Sequence, residues 1–179
     1  MSDQEETDEL AMRWPSENDR LVAESAPAGD AFIVGCQHER FYRLAIGYKQ
    51  AGDILVEQAI AQVVNRSNVI YPALFCYRQA IELSLKKLVD EFSGEKAKNT
   101  HDLNLLWGQF MTIVNERGLG SSLGIVSAQK LVGEMHNADQ KPDAFRFPMG
   151  TNGAQFPIAD RGIDLDNLRE VMAGLMNLL

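Results

Sequence analysis

Tyr71-Pro-Ala-Leu-Phe-Cys-Tyr-Arg-Gln-Ala-Ile-Glu-Leu-Ser-Leu-Lys-Lys-Leu88, continuing to Phe92, reads as a helix that is buried and yet carries charge. Leu74, Tyr77, Ile81, Leu85, Leu88 and Phe92 recur at three- and four-residue steps, the spacing of one helix face. Ala73, Phe75, Cys76, Ala80 and Leu83 fall off that face, so more than half the circumference is apolar. Such breadth belongs to a central helix covered on several sides. Arg78, Glu82 and Lys86 lie four apart on an adjoining row and place alternating charge on neighbouring turns. Pro72 is predicted in the first helical turn, where its missing N–H is not needed.

Helical spacing extends in both directions. Upstream, a helix is predicted from about 38 to 64, with Phe41, Leu44, Ala45, Tyr48, Gly52, Leu55 and Ala59 on one seam. Gly52 lowers helix propensity but allows a close crossing, and Asn65 to Asn68 reads as a polar break. Downstream, Ser93-Gly94 ends the central helix and Thr100 is a candidate N-cap. Leu103, Leu106, Trp107, Phe110 and Val114 form the next seam, closed by Gly118 and Gly120. A fourth helix spans about 123 to 137, with Leu123, Val126, Leu131 and Met135 expected inward. A fifth spans about 164 to 179. Between these two, residues 139–163 are long for a helical connection and rich in Pro, Gly and Phe. Thr151-Asn152-Gly153 between two short apolar runs is a hairpin signal, although Pro148 and Pro157 confine any strands there to an edge. The expected fold is all-α, an antiparallel up-and-down bundle of about five helices. A long loop or small hairpin precedes the last one.

A chain of 179 residues is one domain by length. Its net charge of -8 is concentrated at the start, where residues 1–30 carry nine acids against Arg13 and Arg20. That segment is expected to be a flexible acidic leader with one apolar island, Leu10 to Pro15, ahead of a domain over 31–179. The rest of the chain is nearly neutral, which disfavours non-specific nucleic-acid binding. No apolar run approaches the roughly 18 residues of a membrane span. Cys36 and Cys76 form neither a disulfide framework nor a C-x-x-C pair. Residence in the cytoplasm is therefore expected.

Candidate site residues cluster around the central helix. Arg78 with Glu82 forms either a covered i,i+4 ion pair or an Arg held ready for a phosphate or carboxylate; Lys86 extends either arrangement. His101 beside Asp102 is either a first-turn residue satisfying a buried group or a titratable acid–base. Arg146 anchors the long loop, or points back toward Glu82 or Asp139 as a second cation near Arg78. No H-E-x-x-H, paired C-x-x-C, P-loop or Rossmann pattern is present, so neither a metal nor a cofactor is expected.

Arg78-Gln-Ala-Ile-Glu-Leu-Ser-Leu-Lys86, His101-Asp-Leu103, Phe145-Arg-Phe-Pro148 and the closing amphipathic helix together resemble the HEPN family of small helical domains. The resemblance implies a helical bundle that dimerises and acts in RNA cleavage or RNA binding. It also implies a setting in bacterial toxin–antitoxin pairs or anti-phage defence, beside partners such as a nucleotidyltransferase. Ribonuclease members carry R-x4-6-H, and no Arg here is followed by His at that spacing. Two expectations follow. The first is a non-catalytic module that binds RNA, a nucleotide or a protein partner through Arg78, Glu82, Lys86, His101, Asp102 and Arg146. The second is a divergent metal-independent ribonuclease, a dimer in which Arg78 and His101 are the catalytic candidates.

Overall fold

Asn65, read as part of a polar break, is where the central helix starts: its side chain accepts from the backbone N–H groups of Ser67 and Asn68. In this computed structural model the described residues are 17, 19–21, 31 and 35–179, without 121, 148, 151, 152 and 159. The side chains of Gln37 and His38 are likewise outside the description. The expected leader, with its Leu10–Pro15 island, lies almost wholly outside the described residues, as does Asn152 of the hairpin signal. Val34–Leu179 forms one compact unit.

That unit is an all-α bundle of five helices: α1 Gln37–Ile60, α2 Arg66–Phe92, α3 Leu103–Glu116, α4 Leu123–Ala138 and α5 Leu165–Leu178. The early start of α2 moves Pro72 from the first turn to the helix interior. The lost donor leaves a gap in the ladder, but Asn68 and Pro72 are both exposed, so the interruption falls on the outer side. Arg66, in the first turn, donates through Nε to the carbonyl of Ala59 at 3.0 Å and so satisfies the end of α1.

α1 and α2 pack against each other more extensively than any other pair, and they run antiparallel. Lys87 sits over the Tyr42 ring, Tyr77 faces Gly52, and Arg66 meets Ala59. The absent side chain at Gly52 is what admits Tyr77: a Cβ there would lie 2.6 Å from the ring. Tyr77 is fully buried and donates its hydroxyl to Asp53 Oδ1 at 3.0 Å. Ile81, Leu85 and Val89 continue the core and meet Leu103, Leu106 and Trp107 of α3. Each fully buried aliphatic side chain contributes about 1.5–3 kcal/mol.

Strict up-and-down alternation breaks at one step. α3 begins beside Arg78 and Glu82, where the His101 carbonyl and imidazole make their contacts, and it ends beside Phe92, whose ring lies 5.0 Å from the Arg117 guanidinium. α3 therefore advances in the same direction as α2. The connection between them retraces the last turns of α2, tied by Ala97 N–H to Asp90 and Lys98 N–H to Gln109. The N-cap of α3 is Asp102, not Thr100; Asp102 Oδ1 accepts from Leu105 N–H at 3.0 Å, and Thr100 Oγ1 accepts from Asp102 N–H. At the far end Gly118, with φ +71, takes the left-handed position of a Schellman motif. Gly118 N–H reaches Asn115 O, and Leu119 N–H reaches Val114 O.

α4 buries Ile125, Ala128 and Val132, whereas Leu123 and Val126, expected inward, are exposed. Its sequence is apolar on two sides, and packing between α3 and α5 selects the side. Leu131 and Met135 pack on the core as partly buried residues. Among the described residues of 139–163 there are turns and no strand. Gly150 N–H reaches Ala154 O across a tight turn that includes Gly153 at φ +75. Phe145 and Ala144 are buried against Leu74 of α2 and fasten the loop to the bundle. No helix among the described residues is long and apolar enough to cross a membrane.

Candidate functional site

The Arg78–Glu82–Lys86 row on α2 faces into the protein at its first two members and reaches the surface at the third. Arg78 is 0% exposed and Glu82 2%. Their guanidinium and carboxylate meet at 2.9 Å between Nη1 and Oε2. Glu82 Oε1 takes Lys86 Nζ at 2.8 Å from the next turn and His101 Nδ1 at 2.9 Å from the α2–α3 connection. Burial pushes the Glu82 pKa up. Hydrogen bonds and charge from Lys86, then Arg78 and His101, outweigh that push and hold the carboxyl below its ordinary value.

Arg78 is bonded on three sides. Besides Glu82, its Nη2 donates to the His101 backbone carbonyl at 2.7 Å. Its Nε donates to the Asp139 carbonyl at 3.4 Å and lies 3.2 Å from Asp139 Oδ2, a charge contact not aligned as a hydrogen bond. Asp139 is 1% exposed and directly follows α4. Its Oδ1 accepts from the N–H groups of Asp143 and Ala144, which sets the first turn of the long loop. Arg78 thus joins the central helix, the entry to α3 and the exit from α4. Two cations, Arg78 and Lys86, balance two carboxylates, Glu82 and Asp139.

Asp139 is the partner that the row spacing on α2 does not point to. A single Asp at a helix end carries no periodic signal; its only sequence mark is that a buried Arg needs more acceptors than one i,i+4 Glu supplies. His101 lies just before the α3 N-cap instead of in the first helical turn. Its side chain is 62% exposed, so the imidazole stands on the surface with Nδ1 held by a buried carboxylate. Asp102 serves chiefly as the α3 cap and lies 3.6 Å from His136 Nδ1.

Arg146 takes other partners. It donates through Nη2 to Asp143 Oδ1 at 3.0 Å and through Nε to the Pro142 carbonyl, and its guanidinium lies 5.3 Å from the Phe147 ring centre and 6.0 Å from that of Phe75. It therefore sits on the loop and makes no contact with Glu82 or Asp139. Among the described residues no group of three or more His, Cys, Asp or Glu side chains is placed to hold a metal ion.

Chemically, the network can fix three chain segments and orient one imidazole at the surface. No protein-family model, curated protein or solved structure matches this chain.

Proposed function

We propose that the chain is a HEPN-like module that acts by binding and not by cleaving, as a homodimer in the cytoplasm within a bacterial defence or toxin–antitoxin-type system. One observation carries the reading: Arg78, the cation best placed to meet a phosphate, is fully buried and spent on Glu82, Asp139 and the His101 carbonyl. With Lys86 on Glu82 the network is electrically balanced, and an anionic substrate finds no spare charge in it. The near-neutral bundle favours a protein partner, such as a nucleotidyltransferase, over RNA or a nucleotide. Tyr42, Ile46 and Ile54, exposed along α1, support a surface used for association.

One feature favours the runner-up, a metal-independent ribonuclease. An exposed imidazole held through Nδ1 by a carboxylate leaves Nε2 free to move a proton. The test is incubation of the purified protein with RNA in EDTA. Intact RNA is the expected result. Cleavage that His101→Ala abolishes without loss of fold would overturn the binding reading in favour of the nuclease.

A further inference from the structure

The start of α2 and the long loop border a pocket of about 360 Å³ that is lined by none of Arg78, Glu82, Lys86, His101 and Asp139. Tyr71, Phe145, Phe147, Phe156 and Ile158 line it, and Arg146 is the one charged side chain among the described lining residues. Phe145 is buried against Leu74 and forms a fixed floor, while Tyr71, Arg146 and Phe147 stand exposed at the rim. Arg146 is held in place: its Nε and Nη2 are bonded to Pro142 O and Asp143 Oδ1, and its guanidinium lies 5.3 Å from the Phe147 ring centre. Its Nη1 has no hydrogen-bond partner among the described residues.

We propose that this pocket binds a small planar aromatic ring bearing one anionic group, with the ring against Phe147, Phe156 and Tyr71 and the anion on Arg146. The size lies at the small end of ligand sites, about 300–1,000 Å³. Aromatic walls favour a flat ring through offset or edge contacts. A fixed guanidinium on an apolar wall selects a carboxylate, sulfonate or phosphate over a neutral or cationic group. No carboxylate is among the described lining residues; Asp143, just outside, takes Arg146 Nη2 and leaves Nη1 as the donor for the anion. The site is independent of whether the protein cleaves RNA.

The probe is 2-naphthoate, titrated calorimetrically into the full chain, with 2-naphthylmethylamine as the cationic counterpart and adenosine monophosphate as competitor. Saturable binding of 2-naphthoate and none of the amine is expected. Arg146→Gln weakens it about tenfold or more, the size of a lost charge-assisted hydrogen bond, and Phe147→Ala weakens it too, while the neighbouring Lys141→Gln leaves it unchanged. Both rim side chains are exposed, and circular dichroism verifies that each variant folds. Displacement by adenosine monophosphate assigns the ring to a nucleobase; failure to displace assigns the site to aryl acids. Absence of saturable binding by either anion overturns the proposal, and so does binding indifferent to both Arg146→Gln and Phe147→Ala.

Discussion

His101 meets the central helix twice: its backbone carbonyl accepts from Arg78 Nη2 at 2.7 Å, and its imidazole Nδ1 lies 2.9 Å from Glu82 Oε1. The two contacts differ in consequence. The carbonyl bond is buried on the Arg78 side and belongs to the backbone, so substitution at 101 leaves it available. The imidazole is largely exposed, and its contact is open to solvent.

Replacing Arg78 is therefore expected to be severe. Arg78→Met leaves Asp139 without its cation and Glu82 with only Lys86 and the His101 imidazole, inside a region closed to water. Removing one partner of a buried ion network costs about 3–5 kcal/mol. Urea unfolding monitored by circular dichroism measures it, and a loss under about 1 kcal/mol would show that the network is not an internal tie.

His101→Ala is expected to lower stability by less than about 1 kcal/mol, the range of a solvent-exposed charge pair. The same unfolding experiment separates it from Arg78→Met. A large loss at 101 would place the weight of the network on the imidazole instead of the backbone carbonyl.

Acid should weaken the protein through Glu82. Its folded-state pKa lies below the unfolded value, so the carboxylate contributes stability above the ordinary Glu range, near 4.5. That contribution is lost as pH falls through the lower folded-state pKa. Glu82→Gln is expected to destabilise at neutral pH and to flatten the acid limb of the stability profile. An unchanged acid limb in the variant would remove Glu82 as its source.

Gly52 and Gly47, both inside α1, should respond in opposite ways to Ala. At Gly47 nothing lies within 4 Å of an added methyl group, and the gain in helix propensity is up to about 1 kcal/mol. At Gly52 the methyl meets the Tyr77 ring at 2.6 Å, and Tyr77 is buried and bonded to Asp53. Overpacking there costs about 1–3 kcal/mol and reverses the sign. Melting temperatures of the two variants decide the matter; stabilisation by Gly52→Ala would mean that the α1–α2 crossing yields easily.

Local order is legible in the chain. Leu74, Tyr77, Ile81 and Leu85 announce the buried face of α2, and Gly118 the end of α3, because helical spacing and caps depend only on residues a turn apart. The covered Arg78–Glu82 pair is legible for the same reason. Helix starts are less so: α2 is capped by Asn65 and does not begin near Pro72, and α3 is capped by Asp102 and not by Thr100. Several polar residues in a row can each begin a helix.

Residue spacing along the chain is enough for a set of amphipathic helices, their approximate ends and an ionic row beside the apolar face of α2. Packing of the whole chain sets the rest: α3 runs alongside α2 in the same direction, α4 turns Ile125 inward and Leu123 outward, and Asp139 closes the network on Arg78. The difference is one of range. Helix periodicity is fixed by neighbours along the chain, whereas the partner of a buried guanidinium 61 residues away is fixed by which packing of all five helices leaves no charge unanswered.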